Sequence, residues 1–225
     1  MSRDHLGQFM MASNLAFARG VLLLEDSEGT FTWTPSGTGG DDVHAFATAA
    51  AFMGLNGIQL KTRTTSAAAD DLLSVQKWCQ FPESGLLVLR ARIASPALAA
   101  VKAIYLTASV HDGALNAQGQ MMWSPNTPRV AYQNLAGAAV PITEMAFTTE
   151  NLAFITLELV LDLDAMNYIA IAWNGIRKLL PAIPMYAVGS SALREVILGV
   201  SVTSIAAAPA QAYVDTVYAG EFLDL

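Results

Sequence analysis

IAIAWNGIRKLL, residues 169–180, is the stretch that decides the fold. Two short runs, each largely apolar, flank Asn174-Gly175. A two-residue hairpin turn of the primed kind needs positive φ at both central residues, and Asn-Gly meets that need at least cost. The stretch therefore reads as a β-hairpin. Just upstream lies FITLELVLDLD, residues 154–164. Alternate side chains of a strand point to opposite sides, so Ile155, Leu157, Leu159, Leu161 and Leu163 share one face. Phe154, Thr156, Glu158, Val160, Asp162 and Asp164 share the other. One face is dry and the other is expected to be mostly wet. With DAMN as the intervening turn, residues 155–163, 168–173 and 176–180 make an antiparallel meander.

The same period of two recurs along the chain. In AIYLTASVHD, Ile104, Leu106, Ala108 and Val110 alternate with Tyr105, Thr107, Ser109 and His111. GIQLKTRTT and VILGVSVTS alternate likewise, and LLVLRARI and AYVDTVYAGEF add strands that are apolar on both faces in places. His111 precedes Asp112-Gly113, which reads as a further hairpin turn. Helical patterns are few. DDVHAFATAAAFMG fits an Ala-rich helix capped by Asp41 or Asp42, and equally a strand followed by a Gly turn. SPALAAVKAI holds one short helical turn, and PSGTGGDD, residues 35–42, reads as a loop. Many antiparallel strands separated by turn signals predict an all-β fold, an antiparallel two-sheet β-sandwich or jelly roll with few short helices.

Three segments carry a resemblance. LLLEDSEGTFTW is similar to the opening strand of concanavalin-like and carbohydrate-binding jelly rolls. ELVLDLDAMNYIAIAWNGIRKLL resembles the strand, turn, strand, Asn-Gly, strand pattern of laminin-G-like sandwiches. AYVDTVYAGEF resembles their closing strand, which pairs near the first. The likeness spans residues 22–225. It implies one jelly-roll domain over residues 21–225, with residues 1–20 as an N-terminal arm. It also implies a concave face that relatives use to hold sugars, and calcium near the paired ends, with Glu25, Asp26 and Asp215 as the oxygen ligands. Calcium takes six to eight oxygens, so these three would supply part of a shell.

Composition narrows the functional classes. Charged residues make up 14% of the 225 and the net charge is −7. No basic run occurs, and this disfavours nucleic acid, whose binding rests on clustered Lys and Arg. Low charge with about half the residues apolar argues for a sizeable core, and for some apolar surface covered by neighbours. No apolar run is long enough for a membrane span. The first twenty residues do not read as a signal peptide, since Asp4 offsets Arg3 and Gln8, Ser13 and Asn14 break the apolar stretch. The single cysteine, Cys79 in QKWCQF, excludes an intrachain disulfide and reads as a buried, inert thiol.

Reactive constellations are sparse. His5, His44 and His111 share no metal-binding spacing. Glycosidases use paired carboxylates, and the nearest candidates are Glu158, Asp162 and Asp164 on one strand face. A wet strand face and the turn preference of Asp account for all three. Of the four tryptophans, Trp123 in QMMWSPNTP is expected to be exposed. Trp173 beside the hairpin and Tyr132 complete the candidate sugar-stacking set.

Three functions follow as expectations. The first is a non-catalytic structural or assembly module of a virion, because the fold resembles secreted recognition domains while no export signal stands out. Phe9, Met10, Met11, Leu15 and Phe17 would then join neighbouring subunits as a homo-oligomer or larger assembly. The second is a carbohydrate-binding module, and the third a glycosidase.

Overall fold

The computed structural model describes residues 18–222, apart from 26, 28–29, 38–39, 53, 83–84, 128, 147–149, 190–194 and 206–207. The described strands form two antiparallel sheets that face each other. The first runs β13 (Ile176–Pro184), β12 (Asn167–Trp173), β11 (Ile155–Asp162), β6 (Leu86–Ala94), β16 (Gln211–Phe222), β4 (Gly57–Lys61) and β3 (Val43–Ala47), with β1 (Ala18–Glu25) also on β16. The second runs β10 (Ala139–Ala146), β9 (Arg129–Gln133), β8 (Leu115–Ser124), β7 (Val101–His111), β15 (Glu195–Ser204), β5 (Leu72–Cys79) and β2 (Thr34–Gly37), with β14 (Tyr186–Gly189) also on β8. This is the all-β sandwich that the alternation predicts.

The hairpin forms where Asn-Gly placed it. Trp173 pairs with Ile176, and Asn174 and Gly175 have φ of 43° and 84°. The Asn174 side-chain oxygen accepts the Thr156 backbone N–H at 2.7 Å, which ties the turn to β11. The closing strand β16 pairs antiparallel with β1, Leu24 opposite Tyr218. DDVHAFATAAAFMG resolves into the second of its two readings, strand β3 followed by one 3₁₀ turn at Thr48–Ala50. The turn within SPALAAVKAI is a 3₁₀ turn at Leu98–Ala100. One expectation is corrected: Pro35, Ser36 and Gly37 are not loop but part of β2, paired to β5. Pro lacks a ladder donor and is tolerated on an edge strand, and β2 is such an edge.

The core lies between the sheets. Leu157, Leu159 and Leu161 of β11 and Leu87, Leu89 and Ile93 of β6 face Leu106, Val110, Met121, Val200 and Val202 of the second sheet, all fully buried or nearly so. Each such side chain contributes about 1.5–3 kcal/mol of burial. Gly119 sets the spacing on β8: a Cβ there would lie 2.6 Å from Leu161 Cδ1 and 3.0 Å from Met185 Sδ.

The outward face of the first sheet departs from expectation. Val88, Val160, Ala170 and Tyr218 form a second buried cluster on it. Glu158, read as a wet position, is 4% exposed. Arg90 and Arg177 close over it: Arg90 Nε donates to Glu158 Oε2 at 3.0 Å and Arg177 Nη2 to Oε1 at 2.7 Å. Two guanidinium groups replace the water that an isolated strand face would present.

Candidate functional site

On the outward face of the second sheet, ladder partners stand in rows, because directly opposed residues project to the same side. In one row Trp78 lies opposite Ile197, Ile197 opposite Ser109, Ser109 opposite Gln118 and Gln118 opposite Tyr186. In the next, Gln76, Gly199, Thr107 and Gln120 are successive partners. In a third, Ser74, Ser201, Tyr105 and Met122 follow each other. The β7–β8 hairpin is thereby brought side by side with β15 and β5, which come from distant parts of the chain.

These rows line a cavity of about 380 Å³. Its floor is low because Gly199 has no side chain. The walls carry the Gln76, Gln118 and Gln120 amides, the Thr107, Ser109 and Ser201 hydroxyls and the Tyr105 phenol. Gln120 Nε2 donates to Thr107 Oγ1 at 3.4 Å, and Ser201 Oγ to Ser74 Oγ at 2.9 Å. The side chains of Gln76, Ser109 and Gln118 bond to no other group among the described residues, so their donors and acceptors are available. Asp70 stands at the rim in an ion pair with Lys102, and that bond raises the lysine's pKa. Trp78 is 49% exposed and flanks the cavity beside Ile197 and Gln76. A half-exposed indole next to amides and hydroxyls offers an apolar plane with hydrogen-bonding groups around it.

The expected stacking residues lie elsewhere. Trp123 is fully buried, not exposed: it belongs to β8 and points inward with Met121. Trp173 is 5% exposed, and the two rings meet across the sandwich at 5.5 Å between centroids. Tyr132 is partly buried against the core, edge-on to Tyr168 at 5.5 Å. The alternation of LLSVQKWC held the signal for Trp78, which shares parity with Ser74 and Gln76, not with Leu73 and Val75.

Of the oxygen ligands that the resemblance implies, Asp26 lies outside the described residues and Glu25 is described only as the last residue of β1. Asp215 is buried; Oδ1 accepts the Phe52 backbone N–H at 2.8 Å, while Oδ2 accepts the Thr216 hydroxyl at 3.0 Å and faces Arg92 at 3.7 Å. Among the described residues, no three His, Cys, Asp or Glu side chains converge on one point. Of the carboxylate trio, Glu158 is bound by its two arginines, Asp162 Oδ1 caps its turn by accepting the Ala165 N–H at 2.8 Å, and Asp164 is exposed. Phe9, Met10, Met11, Leu15 and Phe17 lie outside the described residues. No helix of the described residues is long and apolar enough to cross a membrane.

No family model matches the chain, and no curated protein does. Solved structures do. The cellulose-induced protein Cip1 shares 16% identity over 90% of this chain and 98% of its own, with a TM-score of 0.58. A carbohydrate esterase from the Shiga toxin-encoding bacteriophage phi24B shares 18% over 91% of this chain and all of its own, at 0.57. The potassium-bound carbohydrate recognition domain of Emp46p shares 8% over 91% of this chain and 97% of its own, at 0.51. At these identities the likeness is one of fold, and it agrees with the resemblance to concanavalin-like jelly rolls.

Proposed function

We propose that the protein binds carbohydrate, without cleaving it, on the outward face of the second sheet. The observation that carries this reading is the polar cavity flanked by the half-exposed Trp78. Sugars present hydroxyls around the rim of a ring and C–H groups on its faces. Amides and hydroxyls answer the first, and an indole plane answers the second. The names of the fold's neighbours support carbohydrate as the ligand class, since they include a carbohydrate recognition domain and a carbohydrate esterase. Binding is favoured over hydrolysis because the lining holds one carboxylate, Asp70, already paired with Lys102. A glycosidase of the usual kind needs two. The test is a glycan array with wild-type protein and Trp78→Ala. Binding that disappears in the variant supports the reading, and binding that survives it, or none at all, overturns it.

Assembly is the second reading. Strand β13 pairs only with β12 among the described residues, and Ile176 and Leu179 on it are exposed. An open edge that exposes apolar side chains is a template for another strand, although Arg177, Lys178 and Pro181 on β13 narrow the partners it can take. Light scattering that reports an oligomer, reduced to monomer by Leu179→Lys, supports it, and a wild-type monomer refutes it.

A further inference from the structure

We infer that the groove on the second sheet selects neutral glycan chains and rejects acidic ones, an inference that rests on the carbohydrate reading above. Its lining contains no Lys, Arg or His. Every polar group in it except Asp70 is an uncharged amide, hydroxyl or phenol. Uronates, sialic acids and sulfated sugars carry fixed anions. Bringing an anion out of water without a charged donor is costly, and proteins that take carboxylates or sulfates supply Arg or Lys for them.

The neighbouring cations do not serve. Lys102 is spent on Asp70 at the rim. Lys77 is bonded to the Thr32 hydroxyl, and its ladder partner is the inward-facing Leu198. The Asp70–Lys102 pair is neutral as a whole, and the net charge of −7 adds repulsion for any anion that approaches. A neutral sugar hydroxyl both donates and accepts, and so do the Gln76, Gln118 and Ser109 side chains that point into the groove without partners among the described residues.

The geometry favours a chain over a lone sugar. From Gln76 to Gln120 the lining crosses four strands in ladder register, a span of about 14 Å at about 4.8 Å per strand. Gly199 lies at mid-groove, where an added Cβ would meet nothing closer than 3.6 Å. A larger side chain is accepted by the backbone there and fills the space that a sugar ring would occupy.

The experiment is affinity electrophoresis of wild type, Trp78→Ala and Gly199→Tyr through gels holding single polymers. Neutral probes are xylan, mixed-linked β-glucan and galactomannan; acidic probes are alginate and polygalacturonate. The expected result is retardation by at least one neutral polymer, unchanged by added salt and weakened about tenfold or more in both variants, with no retardation by the acidic probes. Retardation by alginate or polygalacturonate that both variants abolish overturns the charge selection and leaves the carbohydrate reading standing. Retardation by no polymer, or retardation that neither variant alters, overturns both. Circular dichroism of the variants identifies a folding failure, and the inference then stands or falls on the wild-type choice between neutral and acidic polymers.

Discussion

The phenol oxygen of Tyr168, on β12, accepts the backbone N–H of Gln120, on β8, at 2.8 Å. The same hydroxyl donates to the Gln133 carbonyl on β9, also at 2.8 Å. A side chain from the first sheet thus crosses the core and holds two strands of the second from beneath. The strand it holds at Gln120 carries a wall of the groove on its other side. Burial raises the Tyr168 pKa to about 12, although both backbone bonds act the other way.

Tyr168→Phe is expected to lower stability by about 1–3 kcal/mol, because it strands a buried N–H and a buried carbonyl. Denaturant unfolding measures the loss. A pH series tests the linkage. The folded pKa is raised above the ordinary value near 10, so the folded state keeps a proton that the unfolded state has released. The contribution is therefore full below pH 10 and fades as pH rises from about 10 to 12. Wild type should lose more stability across that window than Tyr168→Phe, and parallel curves would refute the assignment.

Glu158→Gln is expected to destabilise on the order of 3 kcal/mol, since it removes the carboxylate that Arg90 and Arg177 share. Arg90 is buried and cannot turn to water, whereas Arg177 is partly exposed and can relax. Glycan binding should be unchanged in the folded variant, because the triad lies on the far side of the sandwich from the groove. Urea unfolding and the glycan array read the two effects separately. A loss of binding without a loss of stability would move the site to the first sheet.

How far the sequence spoke depends on whether the information was local. The hairpin at Asn174-Gly175 was legible because the turn demands positive φ that few residue pairs accept. The dry face of β11 was legible from its leucines. Strand β2 was not, because TPSG carries every mark of a loop and becomes a strand only through β5. The outward face of the first sheet was misread for the same kind of reason: Glu158 is dry only because Arg90 and Arg177, far away in sequence, lie over it. Trp123 precedes the SPNTP loop signal, yet it belongs to β8 and follows strand parity. Its parity with Met121 pointed inward all along, as that of Trp78 with Gln76 pointed outward. The groove could not be read as a whole: the Asp112-Gly113 turn sets β7 beside β8, but nothing local places β15 and β5 next to them.

Gly119→Ala is expected to cost about 1–3 kcal/mol through overpacking. The new methyl would press on the Leu161 methyls at 2.6 and 2.7 Å. Leu161→Ala alone should cost about 2–5 kcal/mol as a cavity. Combined, the two should cost less than their sum, because each relieves the other's fault. Thermal unfolding of the four-member cycle measures the coupling, and strict additivity would mean that the sheets move apart to accept the methyl.

Cys79, the residue after the groove's tryptophan, points the other way. Its ladder partner is Val196, and it packs against the core. Burial pushes its pKa up to about 11, with Lys77 opposing only in part. The thiolate is the reactive form, so the folded protein should react with iodoacetamide at pH 8 far more slowly than the urea-unfolded chain, where the thiol returns to its ordinary range. Trp78→Ala should leave the folded rate nearly unchanged, because the indole covers the opposite face of the strand. Fast labelling of the folded wild type would place Cys79 outward, and with it would reverse the parity of β5 on which the position of Trp78 depends.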